Sequence, residues 1–342
     1  MIQNTIDKIS WNVSEEEYRN NESLSYSTIS SYSKLGFKGI EKLFDKIESP
    51  SLTFGSCVDS LITGGEDEFN GKFSVLDLPK LSQTLIDITK SLPLEGYENI
   101  NEVPDNMILS IANDNQYQQN WNDQTRINKI RTLCSDYYNA LKSSSGKIII
   151  TNDMYQEVLA CVRVLKESTS TINWFAKDSV FDNVRRYYQL KFITNLNGVM
   201  YRCMIDELLV DYDSKTIYPI DLKTSSFPEY DFPQHFVDYN YHMQARLYYR
   251  ILSKVLSEDE YFKDFKIEDF RFIVVCKTTL NPLVWKFDKT KEYGDLNIGD
   301  YILKDPEIIG KELQHYLTYK PIVPDGIKLF EDNDICEFLN KQ

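Results

Sequence analysis

The chain has 342 residues, of which 42% are hydrophobic, and a formal net charge of −14 at pH 7. This length allows one large domain or two medium ones, and the acidic charge argues against diffuse attraction to nucleic acid without excluding a local basic groove. No apolar run reaches the ~18 residues of a membrane span and no secretory signal is evident, so we expect a cytoplasmic protein.

The first half of the chain is dominated by helical patterns. Residues 24–47 open with a Ser/Thr cluster typical of a helix start and lead into a basic stretch. Residues 51–63 predict a second helix, because Phe54, Val58 and Leu61 recur on one helical face. Residues from about 80 to 170 are mostly helical and polar, and we interpret them as a helical insertion within a single domain that spans residues 1–342.

The pattern changes to strands in the second half of the chain. Two predicted strands are joined by the turn sequence NLNG, and a third follows at residues 216–225, which indicates an antiparallel meander. Pro219 within the third strand predicts a bend or an edge position. One long helix is predicted at residues 233–256, followed by a buried strand, a strand that can pair with it and a closing helix. This order indicates the α/β class, with helices on both sides of the sheet.

The third strand carries an acid and a lysine in the sequence IDLK. Side chains alternate along a strand, so Asp221 and Lys223 share one face, roughly 7 Å apart, while Tyr218, Ile220 and Leu222 point to the other. The apolar face is suited to a core. Taken alone, a D-x-K sequence is more often a solvated strand end than a catalytic pair.

Three further features accompany this pair. Asp206 lies on the preceding strand, and a short hairpin can bring it to the same end of the sheet. Asp59 follows Gly55 by one helical turn, and Gly55 leaves room for substrate or metal to approach closely. Gln244 and Tyr248 are four residues apart, so they share a helix face and offer hydrogen bonds to a nucleic-acid backbone.

Such a set of residues suits metal-assisted phosphoryl chemistry. Carboxylates that are held together repel one another, and a divalent metal removes that repulsion, activates a water molecule and stabilises charge on a phosphoryl oxygen. A nearby lysine can orient or deprotonate the water, or neutralise the transition state. The backbone carbonyl of Leu222 is placed to add an oxygen ligand.

The cysteine and histidine content limits which metal is expected. The chain has six cysteines without a C-x-x-C pair and only three histidines, so we expect no zinc ribbon and no iron–sulfur cluster. Oxygen ligands favour Mg²⁺, with Mn²⁺ or Ca²⁺ as alternatives.

In chain order these pieces read GSCVD, MID, DLK and QARLY. This order resembles the PD-(D/E)XK nuclease superfamily in its RecB-like branch, whose motifs are G-x-x-x-H/D, Asp, (D/E)-x-K and Q-x-x-x-Y. The chain is most similar to the phage and prophage exodeoxyribonuclease VIII-like group, over about residues 23–78 and 185–277. The helical stretch between these ranges and the end of the chain match only loosely.

The resemblance implies a restriction-endonuclease-like core with a mixed central sheet and a Mg²⁺ site. In that site Asp206, Asp221 and the Leu222 carbonyl would bind the ion, and Lys223 would be the catalytic lysine. Asp59 would be a further ligand, because it stands where many relatives carry a histidine that contacts the metal. A carboxylate is a good ligand for Mg²⁺, but it adds negative charge.

Three other residues are expected to contact DNA or the metal site. Gln189 stands where many relatives have a glutamate, which leaves open whether one metal or two are bound. Arg185 and Arg186 adjoin Tyr187 and Tyr188, and basic residues interleaved with aromatic ones can hold phosphates and stack bases. The alternative for the two arginines is a solvated face of the strand.

The leading hypothesis from the sequence is a metal-dependent DNA exonuclease that acts on linear duplex ends and leaves a 5′-phosphate. Related enzymes resect ends for phage recombination beside a single-strand annealing protein, and some form rings, whose acidic outside and basic channel would reconcile the net charge with DNA binding. The alternatives are an endonuclease that uses the same site, a non-catalytic nuclease fold that binds DNA or protein, and an α/β interaction protein whose motifs are coincidental.

Overall fold

The computed structural model describes residues 4–45, 49–77, 79–144, 146–179 and 181–319. Within these ranges no helix is both long and apolar enough to cross a membrane. The α-helices are α1 (Glu15–Asn20), α2 (Tyr26–Leu35), α3 (Pro50–Thr63), α4 (Gly65–Lys72), α5 (Gln83–Ser91), α6 (Asp105–Asp114), α7 (Asp123–Ser143), α8 (Asn152–Glu167), α9 (Phe232–Asp238), α10 (Tyr241–Glu258) and α11 (Pro306–Tyr319). The strands are β1 (Phe73–Leu76), β2 (Ile148–Thr151), β3 (Val184–Leu196), β4 (Val199–Asp211), β5 (Thr216–Ser225), β6 (Lys266–Ile267), β7 (Phe270–Cys276), β8 (Leu283–Phe287), β9 (Leu296–Ile298) and β10 (Tyr301–Leu303).

A mixed sheet with the strand order β3-β4-β5-β7-β8 forms the centre of the fold. Strands β3, β4 and β5 make the predicted antiparallel meander, and β8 pairs antiparallel with β7 as expected. Strands β5 and β7 run parallel, because the connection between them includes α9 and α10. The predicted α/β class, with a mixed central sheet flanked by helices, is confirmed.

Two apolar cores cover the two faces of this sheet. The larger core joins the sheet to α2, α9, α10 and α11, and the smaller core joins it to α3, α4 and α8. Strand β7 contributes to both, because Phe272 and Val274 lie in the larger core and Ile273 and Val275 lie in the smaller one. All seven of its residues are buried, as the apolar run predicted.

Strand β5 lies inside the sheet, so the edge position considered for Pro219 is wrong. On one side Pro219 pairs with Leu208 of β4. On the other side β6 ends its pairing at Ile217, and β7 begins its pairing at Ile220. Pro219 therefore falls at the interruption between two partner strands, where its missing N–H group costs no ladder hydrogen bond.

The long helix predicted at residues 233–256 is two helices, α9 and α10. They meet at Asn240, whose φ of 56° lies in the left-handed region, which asparagine tolerates better than most residues. The Tyr239 carbonyl at this turn accepts hydrogen bonds from the Tyr26 hydroxyl at 2.6 Å and from Ser30 Oγ at 3.3 Å. Helix α2 therefore fixes the position of the break.

The predicted insertion contains a helical lobe with its own core. Helices α5, α6 and α7 bury Ile88, Ile108, Ile130 and Tyr138 together, apart from the two cores of the sheet. The parallel pair β1–β2 brings the two ends of this lobe together. Helix α8, which follows β2, packs with α3 in the smaller sheet core.

Buried ion pairs join helix α10 to Asp305, which precedes α11, and to Glu307 in the first turn of α11. Arg250 donates to Asp305 Oδ1 and Oδ2, each at 2.8 Å, and to Glu307 Oε1 at 2.9 Å. Arg246 donates to Asp305 Oδ2 at 3.2 Å and to the Glu292 carbonyl at 2.8 Å. These contacts lock one face of α10 and leave its opposite face against the sheet.

We expect Arg250→Ala to lower the free energy of unfolding by about 3–5 kcal/mol, because it removes the cation of the buried Glu307 and leaves the buried Asp305 with Arg246 alone. Urea unfolding followed by circular dichroism measures this loss. Lys254→Ala is the matched control on the same helix, because it removes only an exposed pair with Glu258 and should cost at most about 0.5 kcal/mol. Equal losses in the two variants would contradict the structural role of the network.

Candidate active site

The site forms where β4 and β5 separate. Their ladder runs from the pair Asp211–Thr216 to the pair Glu207–Ile220 and ends there. Beyond that point the Leu222 N–H donates instead to Asp206 Oδ2 at 2.9 Å. A residue in a strand directs its N–H and C=O to the same neighbour, so the Leu222 carbonyl faces the same gap.

Strands β3 and β4 bend together beside this gap. Gln189 has a φ of 52°. In the register of the two strands Gln189 lies opposite Asp206, but these two residues do not form a ladder pair. Both Ile205 and Leu208 face the larger core, although strict alternation would place them on opposite faces. A left-handed glutamine costs about 1–3 kcal/mol, and such strain is concentrated at functional sites.

Gln189 bridges two carboxylates at this bend. Its Nε2 donates to Asp59 Oδ1 at 3.0 Å and Oδ2 at 2.9 Å, and it lies 3.4 Å from Asp206 Oδ1. The structure thus brings together three of the residues that the sequence indicated, from α3, β3 and β4.

Gly55 serves the approach of α3 to the sheet. A Cβ atom at this position would lie 3.3 Å from Thr224 Oγ1 on β5, which is closer than most side chains tolerate. The absence of a side chain therefore lets α3 pack against β5 and carries Asp59 to the gap. In the structure Thr224 occupies the open face of Gly55, where the sequence predicts the approach of substrate or metal.

The other half of the site lies between β5 and α10. Asp221, only 2% exposed, accepts a hydrogen bond from Gln244 Nε2 and forms an ion pair with Lys223. Lys223 Nζ also lies 5.0 Å from the centre of the Tyr241 ring. Asp221 Oδ2 has no aligned hydrogen bond beyond that ion pair, and the buried Gln244 Oε1 has no partner among the described residues.

Burial and mutual repulsion shift the pKa values of these groups. Burial raises the pKa of Asp59 to about 6, and nearby Glu68 and Asp221 add to that rise. Burial also raises the pKa of Asp206 well above its usual range, with Asp221 and Asp59 contributing. Burial alone would lower the pKa of Lys223, but Asp221 outweighs it and holds that pKa above the ordinary lysine value. The site therefore lacks positive charge for its carboxylates.

The donor atoms at the gap suit a hard divalent cation. Asp206, Asp221 and the Leu222 carbonyl could supply oxygen ligands, the type that Mg²⁺ and Mn²⁺ prefer. In the part of the chain that the structure describes, no three His, Cys, Asp or Glu side chains form a metal-binding group by themselves. Asp59 is held by Gln189, so it would join a metal only after exchanging that partner.

The remaining predicted residues are engaged within the protein. Tyr248 is 8% exposed and packs edge-on against Phe270. Arg185 donates to backbone carbonyls at residues 179, 182 and 184. Arg186 donates to Asp178 and to the carbonyls of residues 173 and 174. Direct contact of these residues, and of Gln189 and Gln244, with DNA stays a prediction.

Glu207, directly after Asp206, is a buried acid at the site that is absent from the predicted site residues. It is 2% exposed, and among the described residues neither carboxylate oxygen has a hydrogen bond and the cation that pairs with it is Arg186, whose Nε lies 3.8 Å away. Burial raises the pKa of Glu207 to about 8, although Arg186 opposes the shift. Together with Asp59 and Asp206 it lines a narrow cleft. The missed signal was the break in the alternation between Ile205 and Leu208.

Comparisons with known proteins give little guidance. No family model matches the chain, and no curated protein sequence matches it. Among solved structures, a crystal structure from Eubacterium rectale described as "Putative exonuclease" aligns with 90% of this chain and 83% of its own, at 14% identity and a TM-score of 0.41. A similarity of this size carries no conclusion about the fold or activity of this chain.

The raised pKa of Asp59 predicts a pH dependence of stability. The pKa is about 6 in the folded protein and about 3.9 in the unfolded chain, so Asp59 contributes stability below about pH 4 that is lost as pH rises through 6. Asp59→Asn cannot titrate. Its stability relative to the wild type should therefore rise between pH 4 and 7, by up to about 3 kcal/mol.

Urea unfolding in EDTA at a series of pH values measures this difference. Asp67→Asn, at an exposed position of α4, is the control for the loss of one carboxylate. Parallel profiles for Asp59→Asn and the wild type would show that Asp59 titrates alike in the folded and unfolded states.

Proposed function

We propose that the chain is a metal-dependent DNA nuclease of the PD-(D/E)XK superfamily, in its RecB-like branch. One observation carries the proposal: Asp206, Asp221, Lys223 and the Leu222 backbone converge where β4 and β5 separate. The order of the motifs along the chain supports the same class. The substrate would be linear double-stranded DNA, and the reaction would be hydrolysis of phosphodiester bonds from its ends.

Within this proposal Asp206, Asp221 and the Leu222 carbonyl hold the metal. Mg²⁺ or Mn²⁺, when bound, lowers the pKa of the attacking water and neutralises charge on the phosphate. The Leu222 N–H keeps the Asp206 carboxylate in the gap, and Gln244 orients Asp221 from α10. The ion pairs behind α10 hold that helix, and with it Gln244, against the sheet.

Lys223 is assigned to charge stabilisation. Burial lowers the pKa of Lys223, but Asp221 outweighs burial and holds that pKa above the ordinary lysine value, so Lys223 carries an ammonium charge at neutral pH. An ammonium beside the metal ligands can donate to a phosphate oxygen and stabilise the charge that develops in the transition state. The Tyr241 ring limits where Nζ can move.

The exonuclease assignment and a role in phage or prophage end resection follow from the motif resemblance. The same residues would serve an endonuclease, because the distinction depends on access to the groove. A single-strand annealing protein and a ring-shaped homo-oligomer belong to the same proposal as partners.

Digestion of linear and closed circular duplex DNA with Mg²⁺ or Mn²⁺ tests the function. We expect linear DNA to be degraded and circles to survive, and we expect Lys223→Ala to reduce the rate by at least about 10²–10³-fold. Lys286→Ala is the matched control, because it removes an exposed lysine from strand β8 of the same sheet. Cleavage of circles would indicate an endonuclease, and no cleavage with either metal would contradict the proposal.

Calcium binding measured by calorimetry tests the metal site independently of catalysis. Asp206→Asn and Asp221→Asn should each weaken binding by at least about 10-fold, because each removes a charged ligand. Asp67→Asn removes an equal charge from an exposed position and should have no effect. Unchanged affinity in the two site variants would place the metal elsewhere.

A further inference from the structure

A series of aromatic rings runs outward from Lys223. The Tyr241 ring centre lies 5.0 Å from Lys223 Nζ and 5.7 Å from the centre of the Tyr239 ring. His235 lies 5.7 Å from Tyr239, and Phe227 lies 4.9 Å from His235, again between ring centres. We call Phe227, His235 and Tyr239 the aromatic row.

The aromatic row is accessible and firmly held. Phe227 is 53% exposed and Tyr239 is 47% exposed. The backbone of Tyr239 is fixed by hydrogen bonds from Tyr26 and Ser30 of α2, as described above. Exposed aromatic rings on a fixed backbone form a surface on which a flat ligand can stack without a large ordering cost.

The charges around the aromatic row select the kind of ligand. Residues 226–241 contain Glu229, Asp231 and Asp238 but no lysine or arginine, so this segment is unsuited to binding phosphates. Lys34 lies on the neighbouring α2, with Nζ 5.0 Å from the centre of the Tyr239 ring. A ligand with a flat apolar face over the rings and an anionic group toward Lys34 and Lys223 fits this pattern, and a nucleotide strand has both.

The distance to Lys223 ties the aromatic row to the candidate active site. Phe227 follows Lys223 by four residues, so their Cα atoms are at most about 14 Å apart. Nucleotides in a stacked strand rise about 3.4 Å each. The bases over the aromatic row would therefore belong to nucleotides within about four positions of the phosphate at Lys223.

We propose that the aromatic row stacks unpaired bases of the DNA strand that enters the site, so that the substrate is a strand with a single-stranded overhang or a frayed end. This inference rests on the proposed nuclease function for the identity of the strand. Stacking is tolerant of sequence because every base has a π-face. In an intact blunt duplex the bases are paired and stacked on one another, so they cannot occupy the rings.

Binding of a short single-stranded oligonucleotide in EDTA tests the inference without cleavage. The probe carries 2-aminopurine, whose fluorescence falls when the base stacks, and a second probe has the same phosphates but abasic sites. We expect the wild type to bind the intact probe about 10- to 100-fold more tightly than the abasic one. The double variant Phe227→Ala/Tyr239→Ala should bind both probes as weakly as the wild type binds the abasic probe.

Conservative and distant substitutions make the result specific. Tyr239→Phe and Phe227→Trp keep the rings and should keep the affinity, and Tyr301→Ala removes an exposed ring from the β9–β10 hairpin and should change nothing. Loss of the rings should leave the salt dependence of binding unchanged, whereas Lys34→Ala should reduce the slope of log K against log salt by about one.

Two results would overturn the inference: equal affinity of the wild type for intact and abasic probes, or unchanged binding by the double variant. The outcome is separate from that of the nuclease proposal. Digestion of DNA without base-dependent binding would overturn the role proposed for the aromatic row and would still support the nuclease proposal. Base-dependent binding without digestion would support the aromatic row as a surface that binds single strands, and it would contradict the catalytic assignment.

Discussion

The hydrogen bond from the Leu222 N–H to Asp206 is the contact on which the site depends. A central strand normally satisfies its backbone through the neighbouring ladder, and a buried N–H without a partner is costly. Here β5 leaves the β4 ladder after Ile220, and a side-chain carboxylate takes over the role of the missing strand. The gap can therefore exist inside a packed sheet. The same hydrogen bond fixes a carboxylate beside the gap that the Leu222 carbonyl faces, so the separation of the strands also brings the oxygen donors together.

The gap between β4 and β5 brings buried carboxylates close together, and their mutual repulsion constrains the residues around them. Carboxylates that are buried close together cannot all be ionised without compensation. In the structure the compensation is partial. Gln189 bridges Asp59 and Asp206, Gln244 and Lys223 hold Asp221, and Lys72 opposes the rise that burial causes in the pKa of Asp59. The raised pKa values of Asp59 and Asp206 reflect burial together with the negative charge that remains uncompensated. A divalent cation would supply that charge, which is the physical basis for proposing a metal at this gap.

The sequence was informative where the physics is local. Alternation along β5 correctly placed Asp221 and Lys223 opposite the apolar side chains, and the short hairpin correctly brought Asp206 to them. The prediction of one long helix was wrong, because a strong helical pattern continues across the break between α9 and α10. The left-handed φ of Asn240 produces that break. The bend at Gln189 was visible only as a three-residue spacing between core positions. The burial of Glu207 and the partners of Gln244 depend on contacts between distant elements, which no local pattern encodes.

The acidic charge of the chain is compatible with the proposed DNA substrate, because phosphate contacts and base stacking contribute separately to affinity. Phosphate contacts need cations and weaken with salt, whereas stacking of bases on aromatic rings requires no cation. Around Lys223 the structure offers few cations, an acidic segment at residues 226–241 and several exposed rings. A strand held by its bases near the site, and by a metal ion at the scissile phosphate, requires little positive surface elsewhere. Such an arrangement would favour DNA ends over intact duplex, because only an unpaired base can leave its own stack for the rings at small cost.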